Sequence, residues 1–353
     1  MDSLPQIFVE NVCLCLDRRS IRESCKILSW WGQVFSTTFK KIHTLCVFPD
    51  QDGGKLYAVA QASSHDAVPL DSVDLQFITS FSILPWFVAR FDSEITEITL
   101  NQLQRLVQFI KPTTEGLPPV RYAYQSSNTL QLQGSTWISK KLLSMRLPVD
   151  SVYLSLKEEE LQAAAEEFFE NTGPLYNVTI WYTHSALKQS TVDALIDKFV
   201  PVDGGGFCLT RYTELTRAQL EKLVLKCERA GKKVMVDVCP EDFTCISKVT
   251  DFFDFDRHYS TKKVKDGEVI ANRDGAKLVL RVTHLAGVLI WKWDSPCDVP
   301  LRVTMHWPRA EEARANMDTA GGGRFRPLAV AVALSLFPPF FICMFYLIPA
   351  WSL

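Results

Sequence analysis

The residues that could do chemistry fall into a few groups, and most lack the partner that the chemistry needs. Asp251, Asp254 and Asp256 set three carboxylates close together, the oxygen donors that a hard divalent cation takes. Phe252, Phe253 and Phe255 interleave with them and no loop motif completes a cation site, so the run reads as a partly buried edge. Asp203-Gly204-Gly205-Gly206 is glycine-rich enough to approach a phosphate, but a phosphate loop follows a strand and this run precedes one. It reads as a tight turn. The six histidines stand apart from triad partners in sequence. His184, just after a predicted strand, and Tyr212 are where an α/β enzyme would place a site at its strand C-termini. Asn177-Val178-Thr179 is a formal glycosylation sequon, though it falls inside a predicted strand.

The ten cysteines are irregularly spaced, form no C-x-x-C and have no histidine at finger spacing, which argues against a structural zinc site. Cys13 and Cys15 lie two apart in a helical pattern and so point to different faces. Scattered cysteines of this kind behave as small buried hydrophobes in a reducing compartment. The opening Met1-Asp2-Ser3 has neither a basic stretch nor a long apolar run, so no secretory signal is expected. Together these point to the cytoplasm. A net charge of −2 gives no electrostatic footprint for nucleic acid. The one dense basic run, Lys262-Lys263-Val264-Lys265, reads as a solvated loop. No cofactor or metal is implied.

The elements that would position these residues alternate regularly. Strand-like runs begin at Val152, Asn177, Gly206 and Lys233, separated by 25, 29 and 27 residues. Helical patterns fill the gaps over residues 158–171, 190–200 and 216–230, and strand–helix alternation implies a parallel sheet with helices outside it. Two segments repeat each other. Glu97-Ile98-Thr99 through Val107 aligns with Glu214-Leu215-Thr216 through Val224 at an offset of 117, with Thr99 and Thr216 where an N-cap belongs. A period in the twenties is the size of a leucine-rich-repeat-like unit, although the leucine and asparagine ladder of that repeat is absent. An open doubly wound sheet shares the same alternation. The expected organisation is therefore α/β: a helical module at 1–43, a mixed strand and loop linker at 44–91, an irregular strand–helix array at 92–285 with its last strand at 277–282, an irregular linker at 286–326 and a hydrophobic tail at 327–353.

Residues 4–42 read as three short helices. Phe8, Val12 and Leu16 recur every four residues with Val9 and Cys13 beside them. Ser20 is placed to cap a second helix from Ile21 to about Leu28, and Trp30-Trp31-Gly32 marks the junction to a third. This segment resembles the F-box. Leu4-Pro5 opens it, Trp31 lies 27 residues after Leu4, and Val12, Leu16, Ile21 and Ile27 fall where that family has apolar positions. Ile7 departs from the pattern, standing where an acidic residue is common. The resemblance covers about 40 of the 353 residues. It implies a helix-in-groove contact with a Skp-type adaptor through Leu4, Pro5, Phe8, Val9, Val12, Leu16, Ile21, Ile27 and Trp31. Through that adaptor the chain would join a cullin-based ubiquitin ligase, present a protein target on its repeat-like region and carry no catalysis itself.

Residues 327–353 contain no charged side chain, a stretch longer than the roughly 20 apolar residues that cross a bilayer. Arg309, Arg314, Arg324 and Arg326 precede it, which would hold the body in the cytoplasm. Pro338-Pro339 interrupts it. A transmembrane anchor, a peripheral hydrophobic tail and an erroneous gene model all fit this composition. The first of these gives the alternative function, a tail-anchored binding scaffold unrelated to ubiquitin.

Overall fold

The computed structural model describes residues 4–296 except 51–53, 64–65, 86–94, 111–117, 135, 210–211, 245, 266 and 286. Three helices come first: α1 (Gln6–Leu14), α2 (Arg18–Ser24) and α3 (Trp30–Lys41). Asp17, not Ser20, caps α2, because its carboxylate accepts from the backbone N–H groups of Arg19 and Ser20, both at 3.0 Å. A charged acceptor there satisfies two free helix N–H groups and starts the helix three residues early. The helices close around Val9, Cys13, Ile21, Val34, Phe35 and Ile42. Cys13 is buried and Cys15 exposed, as their spacing requires.

The chain then builds a mixed α/β body. In order it forms β1 (His43–Pro49), β2 (Leu56–Ala62), β3 (Ala67–Val68), β4 (Ile78–Ile83), β5 (Thr96–Ile98), α4 (Leu100–Phe109), β6 (Thr129–Gln133), α5 (Trp137–Ser144), β7 (Ser151–Leu156) and α6 (Glu159–Asn171). There follow β8 (Asn177–Thr183), α7 (Gln189–Lys198), β9 (Gly206–Leu209), β10 (Glu214–Leu215), α8 (Arg217–Ala230) and β11 (Met235–Pro240). A short α9 (Phe255–His258) and four strands, β12 (Thr261–Lys265), β13 (Glu268–Asn272), β14 (Val279–Leu285) and β15 (Val288–Asp294), complete the described chain.

Seven strands lie parallel in the order β1-β4-β6-β7-β8-β9-β11, which is also their order in the sequence. Crossovers between parallel strands are right-handed, so stepping always in one direction returns every helix to the same face. The packing agrees. Leu103 of α4, Leu142 of α5, Phe169 of α6, Leu195 of α7 and Leu223 of α8 share one core with Leu130, Val152, Val178, Phe207 and Val236 of the strands. A doubly wound sheet would reverse its strand order and carry crossover helices on both faces; the described crossovers through α4 to α8 do neither.

The two aligned segments fold alike. Each is a short strand, a threonine cap and a helix, and each cap is a reciprocal capping box, Thr99 with Gln102 and Thr216 with Gln219. The segment expected as a mixed strand and loop linker at 44–91 holds β1 to β4, which join the same sheet, with β2 and β3 antiparallel at its edge. At the other side, β11 passes to an antiparallel meander, β15-β14-β13-β12. This corrects two expectations. Residues 262–265 form a strand whose side chains are solvated, not a loop, and the linker expected from 286 contains β15, a central strand with Trp291 and Trp293 buried. Hairpin pairing supplies what each of these short segments lacks in periodicity. The first compact unit spans Met1–Asp298. The glycine run at 321–323, the flanking arginines and the tail at 327–353 lie outside the described residues.

Candidate protein-docking surfaces

Closing the three-helix core leaves apolar side chains outside it. Ile7 and Phe8 in the first turn of α1, and Leu4 just before its Pro5 cap, are all exposed. Ile27 and Leu28, in the turn between α2 and α3, are exposed as well, Leu28 completely. The turn is held in place by close approach: a Cβ on Gly32 would stand 2.0 Å from the Ile27 carbonyl oxygen. Of the nine residues expected to meet a partner, Leu4, Pro5, Phe8 and Ile27 are at the surface, while Val12, Leu16 and Trp31 are partly buried against the module's core. Val9 and Ile21 are fully enclosed in that core; their side chains hold the helices together and present nothing outward. Ile7, which departs from the F-box pattern, is exposed beside Phe8, and Leu28 is exposed in the turn.

Arg18 joins the module to the sheet, a role that residue type alone does not signal. It is 4% exposed. Its backbone N–H donates to Ser126 Oγ at 2.9 Å, Nη1 to Ser63 Oγ at 2.8 Å and Nη2 to Thr44 Oγ1 at 3.2 Å. No carboxylate pairs with it among the described residues. Burial, with Arg22 nearby, lowers the guanidinium pKa to about 10. The charge is retained at neutral pH, so the hydroxyl contacts must offset much of its desolvation.

On the body, alternation puts one side chain in two on the face away from the helices. One cross-strand row there runs Gln131, Tyr153, Thr179, Cys208, Asp237 and Ile290. The segment before β6 covers part of this face: Tyr122 and Tyr153 share a hydrogen bond at 3.0 Å and the Tyr124 ring meets Tyr153 edge-on. From β8 onward the exposed or half-buried positions on this face include Trp181, Met235, Arg281 and Lys292.

The residues whose types could do chemistry do not converge. His184 and Tyr212 are exposed. Phe253 and Phe255 are buried while Asp251, Asp254 and Asp256 face solvent, and among the described residues no cluster of three metal-ligating side chains forms. A cleft of about 310 Å³ opens at the opposite end of the strands from His184, lined by Glu228, Gly231, Arg273, Lys277 and Trp293 among others. Of its two carboxylates, Glu228 and Asp274, the first is engaged, since Glu228 Oε2 accepts from Tyr259 at 2.7 Å and Trp293 Nε1 at 2.8 Å. Burial pushes the Cys13 and Cys46 thiols up to about 12. Burial and then Asp237 also raise Cys208. These thiols stay protonated at neutral pH and make poor nucleophiles.

Comparison with protein-family models, curated proteins and solved structures finds no match for the chain in any of the three. Among the described residues no helix is long and apolar enough to cross a membrane.

Proposed function

We propose that the chain is a cytoplasmic, non-catalytic adaptor whose N-terminal module is an F-box and whose body carries a protein target to an SCF-type cullin ubiquitin ligase. One observation carries the reading: the module closes its own core and still exposes Leu4, Ile7 and Phe8 where the chain enters α1. Contiguous exposed apolar side chains on a small helical unit mark a docking surface, and an amphipathic face laid into a groove is a recurring mode of recognition. Parallel strands stacked in chain order, with helices on one side, support a leucine-rich-repeat-like body, whose uncovered face serves targets in such architectures.

Co-purification with a Skp-type adaptor tests the proposal. Wild type is expected to capture the adaptor, and Leu4→Ala, Ile7→Ala and Phe8→Ala together are expected to weaken capture at least tenfold, because buried apolar anchors dominate such interfaces. No association of the wild-type chain overturns it. The uncharged stretch at 327–353 favours a second reading, a tail-anchored scaffold. That reading requires carbonate-resistant membrane association that is lost when the chain is ended at Arg326.

A further inference from the structure

β12 ends the sheet. Its inner edge pairs with β13 from Thr261↔Asn272 to Lys265↔Glu268, and among the described residues no strand takes its outer edge. All five of its residues are exposed. An unpaired edge is a template for main-chain hydrogen bonding, and folded proteins cover, shorten or charge it. Lys265 and Glu268 flank a two-residue connection, so they bond to each other across the hairpin, as do Lys263 and Ile270. The N–H and C=O groups of Lys262 and Val264 therefore point away from the sheet.

The side chains along this edge are sorted by face. Lys262 turns toward the helix side, where its ammonium meets the Asp256 carboxylate of α9. Lys263 and Lys265 lie together on the helix-free face, opposite Ile270 and Glu268. Glu268 is engaged by Arg281 at 3.7 Å, and neither lysine has an ion-pair partner among the described residues. A second copy of this edge would set lysine against lysine, which is unfavourable for directly opposed residues. An acidic strand would meet the opposite situation.

We propose that the outer edge of β12 accepts an extended acidic segment of a partner protein as an added strand, with two carboxylates spaced two residues apart facing Lys263 and Lys265. The backbone of Lys262 and Val264 supplies the main-chain bonds, and the lysine pair supplies the discrimination. The inference rests on the adaptor reading only in calling this partner a target.

Titration of the full chain with a capped nonapeptide of alternating glutamate and threonine tests it, with the lysine-for-glutamate peptide as control. The acidic peptide is expected to bind at least tenfold more tightly than the control, less so as salt rises, and to protect the Lys262 and Val264 amides from hydrogen exchange. Lys263→Glu with Lys265→Glu should reverse the preference, and Val264→Pro should abolish binding of both peptides by removing the outward N–H. Absent binding, equal affinity for the two peptides, or an unchanged preference in the charge-reversed chain overturns the proposal. Capture of the Skp-type adaptor should be the same in all three chains, so failure of either proposal is read separately.

Discussion

Asn128 sits before β6 with every polar group engaged. Its side-chain oxygen accepts from the Phe81 N–H at 3.1 Å and its amide donates to the Pro148 carbonyl at 3.0 Å. Its own N–H reaches Asp150 Oδ2 at 2.8 Å, and its carbonyl accepts from Asp150 N–H at 2.8 Å. One residue, 1% exposed, thus ties β4 to the approaches of β6 and β7. Alanine there leaves the Phe81 donor and the Pro148 acceptor without side-chain partners in a closed space. Since each unsatisfied buried group costs about 1–3 kcal/mol, Asn128→Ala is expected to destabilise the body by about 2–4 kcal/mol, read as a lower urea midpoint at unchanged slope. A midpoint within experimental error of wild type would show that the strand approaches are held by something else. Asn128 was invisible in the sequence because its partners lie 47 and 20 residues away. Arg18 was hidden for the same reason, with partners 45 and 26 residues distant.

At the scale of elements, what was legible was what is local. The Thr99 and Thr216 caps could be read because a capping box is complete within four residues. The helices behind strands β7, β8 and β9 could be read because each has a 3.6-residue apolar stripe. Asp17 and Ser20 are both good caps, and only the backbone geometry chooses between them. The hairpin strands leave little local signal, because each depends on a partner strand. The turn between α2 and α3 combines both kinds of information. Gly32 could be read as a junction, but the contact that demands glycine, the Ile27 carbonyl, is tertiary. Gly32→Ala forces that turn to move, a strain of about 1–3 kcal/mol, and displaces Ile27 and Leu28 together. The expected result is faster hydrogen exchange in α1 to α3 and at least fivefold weaker adaptor capture, with exchange in β6 to β11 unchanged. Gly173, where an added Cβ meets nothing within 4 Å, is the control, and Gly173→Ala should leave both measurements as in wild type. Normal capture by Gly32→Ala would remove the turn from the proposed interface.

For the whole molecule, strand–helix alternation told of a parallel sheet but could not tell where that sheet stops. A parallel array of this kind must end in something that covers its last core layer and its last edge. Here β15 does both: it pairs antiparallel with β11 from Met235↔Lys292 to Val238↔Leu289, and it places Trp291 and Trp293 in the body's main core. A tryptophan buries up to roughly 250 Å², and at about 25 cal/mol per Å² the pair contributes up to roughly 12 kcal/mol, comparable with the net stability of an entire domain. The boundary drawn from the sequence at 285 therefore falls inside the folding unit. A chain ended at Leu285 is expected to lose cooperative urea unfolding and to aggregate through the bare edge of β11. A chain ended at Asp298, the limit of the first compact unit, should elute as a discrete species on size exclusion and unfold in one transition. If both truncated chains unfold with the same midpoint, the meander is an appendage and the parallel array closes itself. If only the shorter one fails, β15 is the cap that makes the array a stable body, and the surface proposed on β12 belongs to the same folding unit as the strands before it.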